Sequence, residues 1–358
     1  MNESSSSCVH LAVITDDGYV VPTVTMLTSV RSHKNPNRPY CVHVFGDNIS
    51  EFAKRKFMEL EEANYNIQLY DCSSSHFSYV EIPDSASYTV STMLKCELAE
   101  LLPQLDRVLF LDGDILVLKD LGELYDVDLG ENVVAAVREY IGEKKYSLHR
   151  IVGSRHYFNA GVMLLNLKLM REEALGEKII RNRQLAPSTW IYAEQDSFNA
   201  VCDGRVHWLH PRYNFLSSLL CCAIKCNLSE YNEFYNTSYS SYLEMEEDAV
   251  IQHFAATKPW KNKTLPHASL WQKYHDVSPF GDTLLEHDEL YLEKNKRVET
   301  LRVSFLGLLP LLSVSSNKRG IRVKFLGLPL FKIQKKDGKV WLLLFHFLPL
   351  LIWTRKVK

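Results

Sequence analysis

Arg107-Val-Leu-Phe-Leu-Asp-Gly-Asp-Ile-Leu-Val-Leu118 sets two carboxylates, Asp112 and Asp114, inside an otherwise continuous apolar run. A run this rich in Val, Leu and Ile predicts a strand buried on both faces. Burying even one carboxylate costs several kcal/mol unless it is paired or binds a metal. Residues i and i+2 of an ideal strand share a face, so the two acids point the same way. Gly113 between them lets the backbone bend and a bulky ligand come close. Oxygen ligands suit Mg²⁺ and Mn²⁺, so a divalent cation shared by Asp112 and Asp114 is the natural way to offset the buried charge. The alternative is a strand end with two solvated acids, and the surrounding chain has to decide between them.

Upstream, the pattern is that of an α/β protein. Val9 to Thr15 is an apolar run ending in Asp16-Asp17-Gly18-Tyr19, a strand breaking into a turn. Pro22 opens a helical pattern to about His33, and Tyr40 to Phe45 reads as a second strand. Ser50 is an N-cap candidate for a helix through Ala63, and Asn66 to Tyr70 is a third strand. These short alternations predict βαβ units in a mainly parallel sheet. Ligands of such sheets bind beyond the carboxyl ends of the strands, where the Asp16 turn and the Asp112/Asp114 pair both fall.

Ser91 to Leu102 reads as a helix closed by Pro103, with Lys95 inside it. Downstream, Val133 to Val137 is a strand candidate, and an Asn159-Ala160-Gly161 corner precedes another buried strand. Met170 to Arg183 is helical, and Ala193 to Asn199 opens a further helix with acids at its start. Val206 to Leu209 is a short strand, Pro211 to Phe215 a loop, and Gln252 to Trp260 closes the catalytic-looking part.

The chain has 358 residues, 46% of them hydrophobic, enough for one large α/β domain or two smaller ones. A net charge of −2 gives no reason to expect a nucleic-acid partner, but the charge is unevenly spread. Fifteen Lys and Arg face two Asp and Glu between Lys294 and Lys358, marking a basic tail that meets something anionic. The expected division is a catalytic domain over 1–283 and a basic, apolar tail over 284–358. Within the tail, Val303 to Val314 echoes Val323 to Ile333, and Val340 to Trp353 is apolar but for His346. Fourteen residues broken by Pro349 are too short to span a bilayer, which needs about 20. Trp341 and Trp353 flank them, and Lys332, Lys335, Lys336, Lys339, Arg355, Lys356 and Lys358 lie on either side, so the tail is expected to rest on an anionic membrane surface. Packing of the run as an extra core element or a dimer contact is the other reading.

The eight cysteines are scattered, several in apolar runs, as buried free thiols are. Cys221-Cys222-Ala-Ile-Lys-Cys226 has no second half at ligand spacing, so no zinc site is expected of that cluster. The polar N-terminus lacks the basic and apolar regions of a signal peptide, which predicts a cytoplasmic setting and makes the sequons at Asn227, Asn236 and Asn262 coincidental.

Six motifs, in order, resemble the retaining glycosyltransferases of family 8, a GT-A fold group that includes bacterial lipopolysaccharide galactosyl- and glucosyltransferases and glycogenin. They are Asp16-Asp17-Gly18-Tyr19, Lys95, Phe110-Leu-Asp112-Gly113-Asp114, Phe158-Asn159-Ala160-Gly161, Glu194-Gln195-Asp196 and His253 with Lys258-Pro-Trp260. The resemblance implies a Rossmann-like sheet flanked by helices and a UDP-glucose or UDP-galactose donor. It implies a metal, Mn²⁺ or Mg²⁺, held by Asp112, Asp114 and His253. It gives Asp16 and Tyr19 to the uracil, Lys95 and Lys258 to the pyrophosphate and nearby hydroxyls, and Asn159 and Glu194 to the sugar. Gln195 then lies below the anomeric carbon, and Gly18, Gly113, Ala160 and Ala256 line the donor. An oligosaccharide or glycolipid acceptor, such as lipopolysaccharide core, would place the protein on the inner face of the cell membrane. Three positions depart from the family pattern: Gly18 where several relatives carry Asn, Lys95 where some carry Arg, and Ala256 where Gly is common.

A haloacid-dehalogenase-type phosphohydrolase would also use an apolar strand ending in Asp-x-Asp. It needs Gly then Thr after the second Asp, where Ile115-Leu116 stand, and it places the motif first in the domain. A non-catalytic sugar-nucleotide binding protein is the third possibility, against which the intact Asp112, Asp114 and His253 count.

Overall fold

In the computed structural model the described residues are 8–78, 90–186, 190, 192–216, 226–255, 258–263 and 265–281, together with six strands between 299 and 354. The chain divides into two compact units, Met1–Asp282 and Thr283–Lys358.

The first unit is built on a seven-stranded sheet. In sequence order its strands are β1 (Val9–Asp16), β2 (Tyr40–Asp47), β3 (Tyr65–Cys72), β4 (Arg107–Leu111), β6 (Val134–Ala136), β7 (Val162–Asn166) and β8 (Val206–Trp208), while β5 (Ile115–Val117) belongs elsewhere. The spatial order is β3-β2-β1-β4-β7-β6-β8. β7 runs antiparallel to both neighbours, and every other pair is parallel. The expectation of a mainly parallel sheet therefore holds, with a crossing point where β4 meets β7. Helix α1 (Val20–His33) is buried over most of its length, with Val24, Met26, Leu27 and Val30 in the core. Its buried hydroxyls are satisfied within the helix: Thr25 donates to the Val21 carbonyl and Thr28 to that of Val24. Helix α2 (Glu51–Met58) starts at Ser50, whose side chain accepts from Ala53 N–H as an N-cap does, and it ends five residues short of Ala63.

The stretch 107–118 is not one strand. β4 ends at Leu111, residues 112–114 turn, and β5 joins a second sheet of order β5-β10-β9 with β9 (Phe215–Leu216) and β10 (Ile251–His253). The argument from shared strand faces thus fails, because the two carboxylates sit on the turn between sheets. On that turn Asp112 is half-buried and Asp114 buried, so both carboxylates rely on side chains from neighbouring elements to offset their charge. Ser29 of α1 fastens the second sheet by accepting the Val117 N–H at 2.9 Å.

Residues 90–102 also differ from expectation. A 3₁₀ segment covers Val90–Glu97 and only Leu98–Leu101 is α-helical. The helix predicted over Met170 to Arg183 is two, Leu167–Glu172 and Leu175–Leu185, separated by Ala174 at φ 50°. The predicted loop at 211–215 is a 3₁₀ turn, Pro211–Asn214, leading into β9.

The second unit is an antiparallel meander of β11 (Glu299–Phe305), β12 (Leu309–Asn317), β13 (Gly320–Phe325), β14 (Leu328–Lys336), β15 (Lys339–Leu344) and β16 (Leu348–Thr354), each strand paired with the next. The repeat seen twice in the sequence occurs three times. Pro310, Pro329 and Pro349 each lie second in the return strand of a hairpin, opposite Ser304, Lys324 and Leu343. In the first two hairpins the register slips beside that proline, as expected for a residue without an N–H to give the ladder. The apolar run 340–353 is accordingly the third hairpin and not a continuous segment. Among the described residues no helix is long and apolar enough to cross a membrane.

Candidate active site

The crevice forms where the main sheet gives way to the small one, beyond the carboxyl ends of β1 and β4. Register does the assembly. β10 runs antiparallel to β5 with His253 opposite Ile115, and Phe254 N–H donates to the Asp114 carbonyl at 2.9 Å. β4 pairs with β7 so that Leu111 faces Val162, and Asp112 N–H donates to the Gly161 carbonyl at 2.8 Å. Asp112, Asp114 and His253 thereby offer ligand atoms within 4.8 Å of one another.

The imidazole is oriented for that role. His253 Nδ1 lies 2.8 Å from Asn214 Oδ1, and Asn214 Nδ2 donates to Asn159 Oδ1 at 3.1 Å. The Asn214 oxygen takes the Nδ1 hydrogen, which leaves the Nε2 lone pair facing Asp114 Oδ1 at 3.3 Å. Gly161 has to be glycine here. An added Cβ would lie 2.5 Å from His253 Cε1 and 2.7 Å from Asp112 Oδ2. Two carboxylate oxygens and one imidazole nitrogen around a cradle closed to any side chain fit a divalent metal of the Mn²⁺ or Mg²⁺ kind.

Two ammonium groups compensate the acids. Lys95 Nζ donates to Glu194 Oε1 at 2.7 Å and lies 3.0 Å from Asp112 Oδ1 and 4.8 Å from the centre of the Phe110 ring. Burial alone would lower the Lys95 pKa, but the Asp112 and Glu194 carboxylates hold it above the ordinary value. Lys258 Nζ pairs with Asp114 Oδ2 and donates to the Phe254 carbonyl at 2.9 Å. Burial works against ionisation of Asp114, yet the Lys258 ammonium keeps its pKa below the usual carboxylate range. Asp112, penalised by burial and by the neighbouring Asp114 charge, is raised despite Lys95. Closely spaced acids thus differ in readiness to ionise, which a dication would remove by favouring both charged forms.

The remaining expected residues surround this centre. Asp16 ends β1, its carbonyl accepts Tyr19 N–H at 2.9 Å, and the Tyr19 ring stands edge-on to Trp260 at 5.7 Å. Gly113 lets the turn pack against them: a Cβ there would lie 2.4 Å from Thr23 Oγ1 and 3.1 Å from Tyr19 Cδ1. Gly18 follows in the same turn, where a Cβ would meet Asp16 Oδ1 at 3.3 Å. Asn159 Oδ1 accepts from Gly161 N–H at 3.0 Å. Gln195 is fixed at both ends, Oε1 accepting from Ala160 N–H at 2.9 Å and Nε2 donating to the Tyr157 hydroxyl at 3.0 Å and Glu139 Oε2 at 3.3 Å. Ala256 lies outside the described residues.

Sequence reasoning missed two members of this arrangement. Asn214 sits in what reads as a loop, and only the pairing of β9 with β10 brings it to His253. Glu139 is buried beneath Gln195. Burial and the Asp196 carboxylate push its carboxyl up to about 7, against the lowering effect of the Gln195 hydrogen bond.

Residues 10–264 match the family model described as glycosyl transferase family 8. The chain is 24% identical over 271 residues to General stress protein A of Bacillus subtilis (strain 168), covering 72% of this chain and 88% of that protein. It is 24% identical over 309 residues to the lipopolysaccharide 1,2-glucosyltransferase of Escherichia coli (strain K12), covering 84% of this chain and 88% of the relative. The crystal structure of the galactosyltransferase LgtC in complex with donor and acceptor sugar analogs superposes with a TM-score of 0.65 at 24% identity, over 75% of this chain and 96% of LgtC. That likeness gives the fold, a GT-A type α/β architecture.

Proposed function

The chain belongs to glycosyltransferase family 8, and from that premise we propose that it moves a hexose, glucose or galactose, from a UDP-sugar to a saccharide acceptor with retention of the anomeric configuration. The observation that carries this reading is the convergence of Asp112, Asp114 and His253 within 4.8 Å in the crevice beyond the sheet. When bound there, a divalent metal supplies Lewis-acid neutralisation of charge on the departing diphosphate.

The chain's own residues supply the rest. Asn214 fixes the His253 tautomer, and Glu194 positions the Lys95 ammonium. Lys95 and Lys258 add positive charge where the diphosphate leaves. Tyr19 stacks on the uracil and Asp16 accepts from its ring N–H. Asn159 and Glu194 contribute hydrogen bonds to sugar hydroxyls. Gln195 is an amide and therefore a poor nucleophile, and its hydrogen bonds with Ala160 and Tyr157 fix the direction of its carbonyl oxygen. Its role is to support positive charge developing at the anomeric carbon. The acceptor attacks from the face the diphosphate leaves, and the departing phosphate takes the acceptor proton.

A phosphohydrolase of haloacid-dehalogenase type would need Gly then Thr after Asp114, where Ile115 and Leu116 stand, and the family match is to transferases. The relatives also make lipopolysaccharide core, or another surface glycan, the acceptor class of choice. The basic unit Thr283–Lys358 would hold the enzyme on an anionic membrane face where such acceptors lie, each basic residue near the leaflet contributing about 1 kcal/mol. The test of the central reading is metal-dependent UDP release from UDP-glucose and UDP-galactose, run beside hydrolysis of a generic phosphate ester. Turnover of the ester alone would remove the transferase reading. Removal of residues 300–358 should free the protein from anionic liposomes while UDP-sugar binding survives, and a truncated protein that stayed bound would remove the membrane role.

A further inference from the structure

A second cluster of metal-ligating side chains lies toward the other end of the strands that build the crevice. The sequence carries Cys-x-His twice, as Cys8-Val-His10 and Cys41-Val-His43. Parallel pairing of β1 with β2 sets His10 opposite Cys41 and Ala12 opposite His43. Side chains alternate along a strand, so His10, Cys41 and His43 share one face of the sheet. The Cys41 thiol and one nitrogen from each imidazole lie within 4.8 Å of one another.

The hydrogen bonds around His43 fix which nitrogen is available. His43 Nδ1 is 3.0 Å from the Tyr70 hydroxyl, and that hydroxyl donates onward to Gln68 Oε1 at 2.8 Å. With its hydrogen committed to Gln68, the Tyr70 oxygen accepts from His43 Nδ1–H. The Nε2 lone pair of His43 is then directed at His10 Nδ1, 3.0 Å away. A ligating histidine whose second nitrogen donates to a fixed acceptor is the usual outer-shell arrangement of metal sites. His43 and Cys41 are buried, while His10 is half-buried and leaves a way in from solvent.

We propose that His10, Cys41 and His43 form a three-ligand site for a soft divalent transition metal, Zn²⁺ above all. One thiolate and two imidazoles suit zinc, with bonds of about 2.0–2.3 Å, and leave the fourth position to a water that enters past His10. The carboxylate-rich crevice prefers harder ions, so the two sites select differently. Binding exchanges the Cys41 thiol proton for the metal and releases it to solvent. His10 precedes Asp16 by six residues of strand, about 20 Å, so the metal acts on the pairing of β1 with β2 and not on transfer.

The test uses the full-length chain stripped of metal and titrated with Co²⁺ as the probe. One equivalent should bring up a thiolate-to-cobalt charge-transfer band with the strong visible absorption of a tetrahedral centre. The crevice has no sulfur ligand and contributes nothing to that band. Zn²⁺ should bleach it and raise the thermal midpoint. His10→Gln, at a half-buried position that leaves the fold intact by circular dichroism, should lose both the band and the Zn²⁺-induced rise. Cys41→Ser should also lose the band, Cys8→Ser should keep it, and metal-dependent UDP release should continue in His10→Gln. No sulfur band at stoichiometric Co²⁺ would overturn the proposal. So would a band that survives Cys41→Ser, or an equal Zn²⁺ shift in wild type and His10→Gln.

Discussion

Glu139→Gln isolates the most unusual carboxyl outside the cluster of Asp112, Asp114 and His253. Glu139 is 9% exposed, it receives one amide hydrogen bond from Gln195 at 3.3 Å, and the Asp196 carboxylate bears on it. Burial, with that neighbouring charge, moves the carboxyl from 4.5 to about 7. Between those values the folded protein holds a proton that the unfolded chain has released. The contribution to stability is therefore complete below pH 4.5 and is lost as pH rises through about 7. The size of that loss is roughly 3 kcal/mol, at about 1.4 kcal/mol for each tenfold change in proton affinity. The amide introduced at this position does not titrate and can still accept from Gln195. The variant should match wild type near pH 4.5 and exceed it by roughly 3 kcal/mol at pH 8. Urea unfolding followed by circular dichroism at both pH values measures the difference. The same offset between variant and wild type at pH 4.5 and pH 8 would mean that Glu139 is ionised throughout, and the account of its burial would fail.

The crevice offers sharper tests. Asp112→Asn, Asp114→Asn and His253→Ala should each abolish transfer and weaken Mn²⁺ binding by calorimetry without unfolding the chain; near-normal Mn²⁺-dependent turnover in Asp112→Asn would defeat the metal assignment. Asn214→Ala frees the His253 tautomer and should cost about 10–100-fold in metal affinity or activity, with the fold retained. Gly161→Ala drives a methyl against His253 and Asp112 and should cost about 1–3 kcal/mol of stability along with metal binding, so a fully active variant would contradict the packing described. Gln195→Ala should lower turnover while donor affinity, read by UDP-sugar titration, is largely kept. An α-linked product from an α-linked UDP-hexose, established by NMR coupling constants, is the expected stereochemistry, and a β-linked one would exclude same-face attack.

What the sequence disclosed and what it hid follow from the range of the forces involved. Two acids within an apolar run announce an unusual site at once, because buried charge has no inexpensive resting place. The same apolar continuity concealed the break at residues 112–114, since Ile115-Leu116-Val117 looks like more of one strand until a second sheet claims it. Lys95, Asn159, Gln195 and His253 are legible as members of an ordered motif series; strand register places His253 and the Gly161 corner, while a 3₁₀ segment and a helix carry Lys95 and Gln195. Asn214 had no such mark. A single asparagine after Arg212-Tyr213 means nothing locally, and its acceptor oxygen matters only because β9 runs beside β10. Glu139 was hidden for the opposite reason: acids are ordinary in a sequence, and its environment becomes exceptional only when Asp196 and Tyr157 close over it. The third hairpin was masked by substitution, Phe345-His346-Phe347 standing where Phe-Leu-Gly occupies the first two, although the proline in the return strand keeps its place. Cys8-x-His10 and Cys41-x-His43 show the same limit. Thirty residues of sequence separate them, and each pair alone is a common accident. The parallel register of β1 and β2 turns two accidents into one constellation.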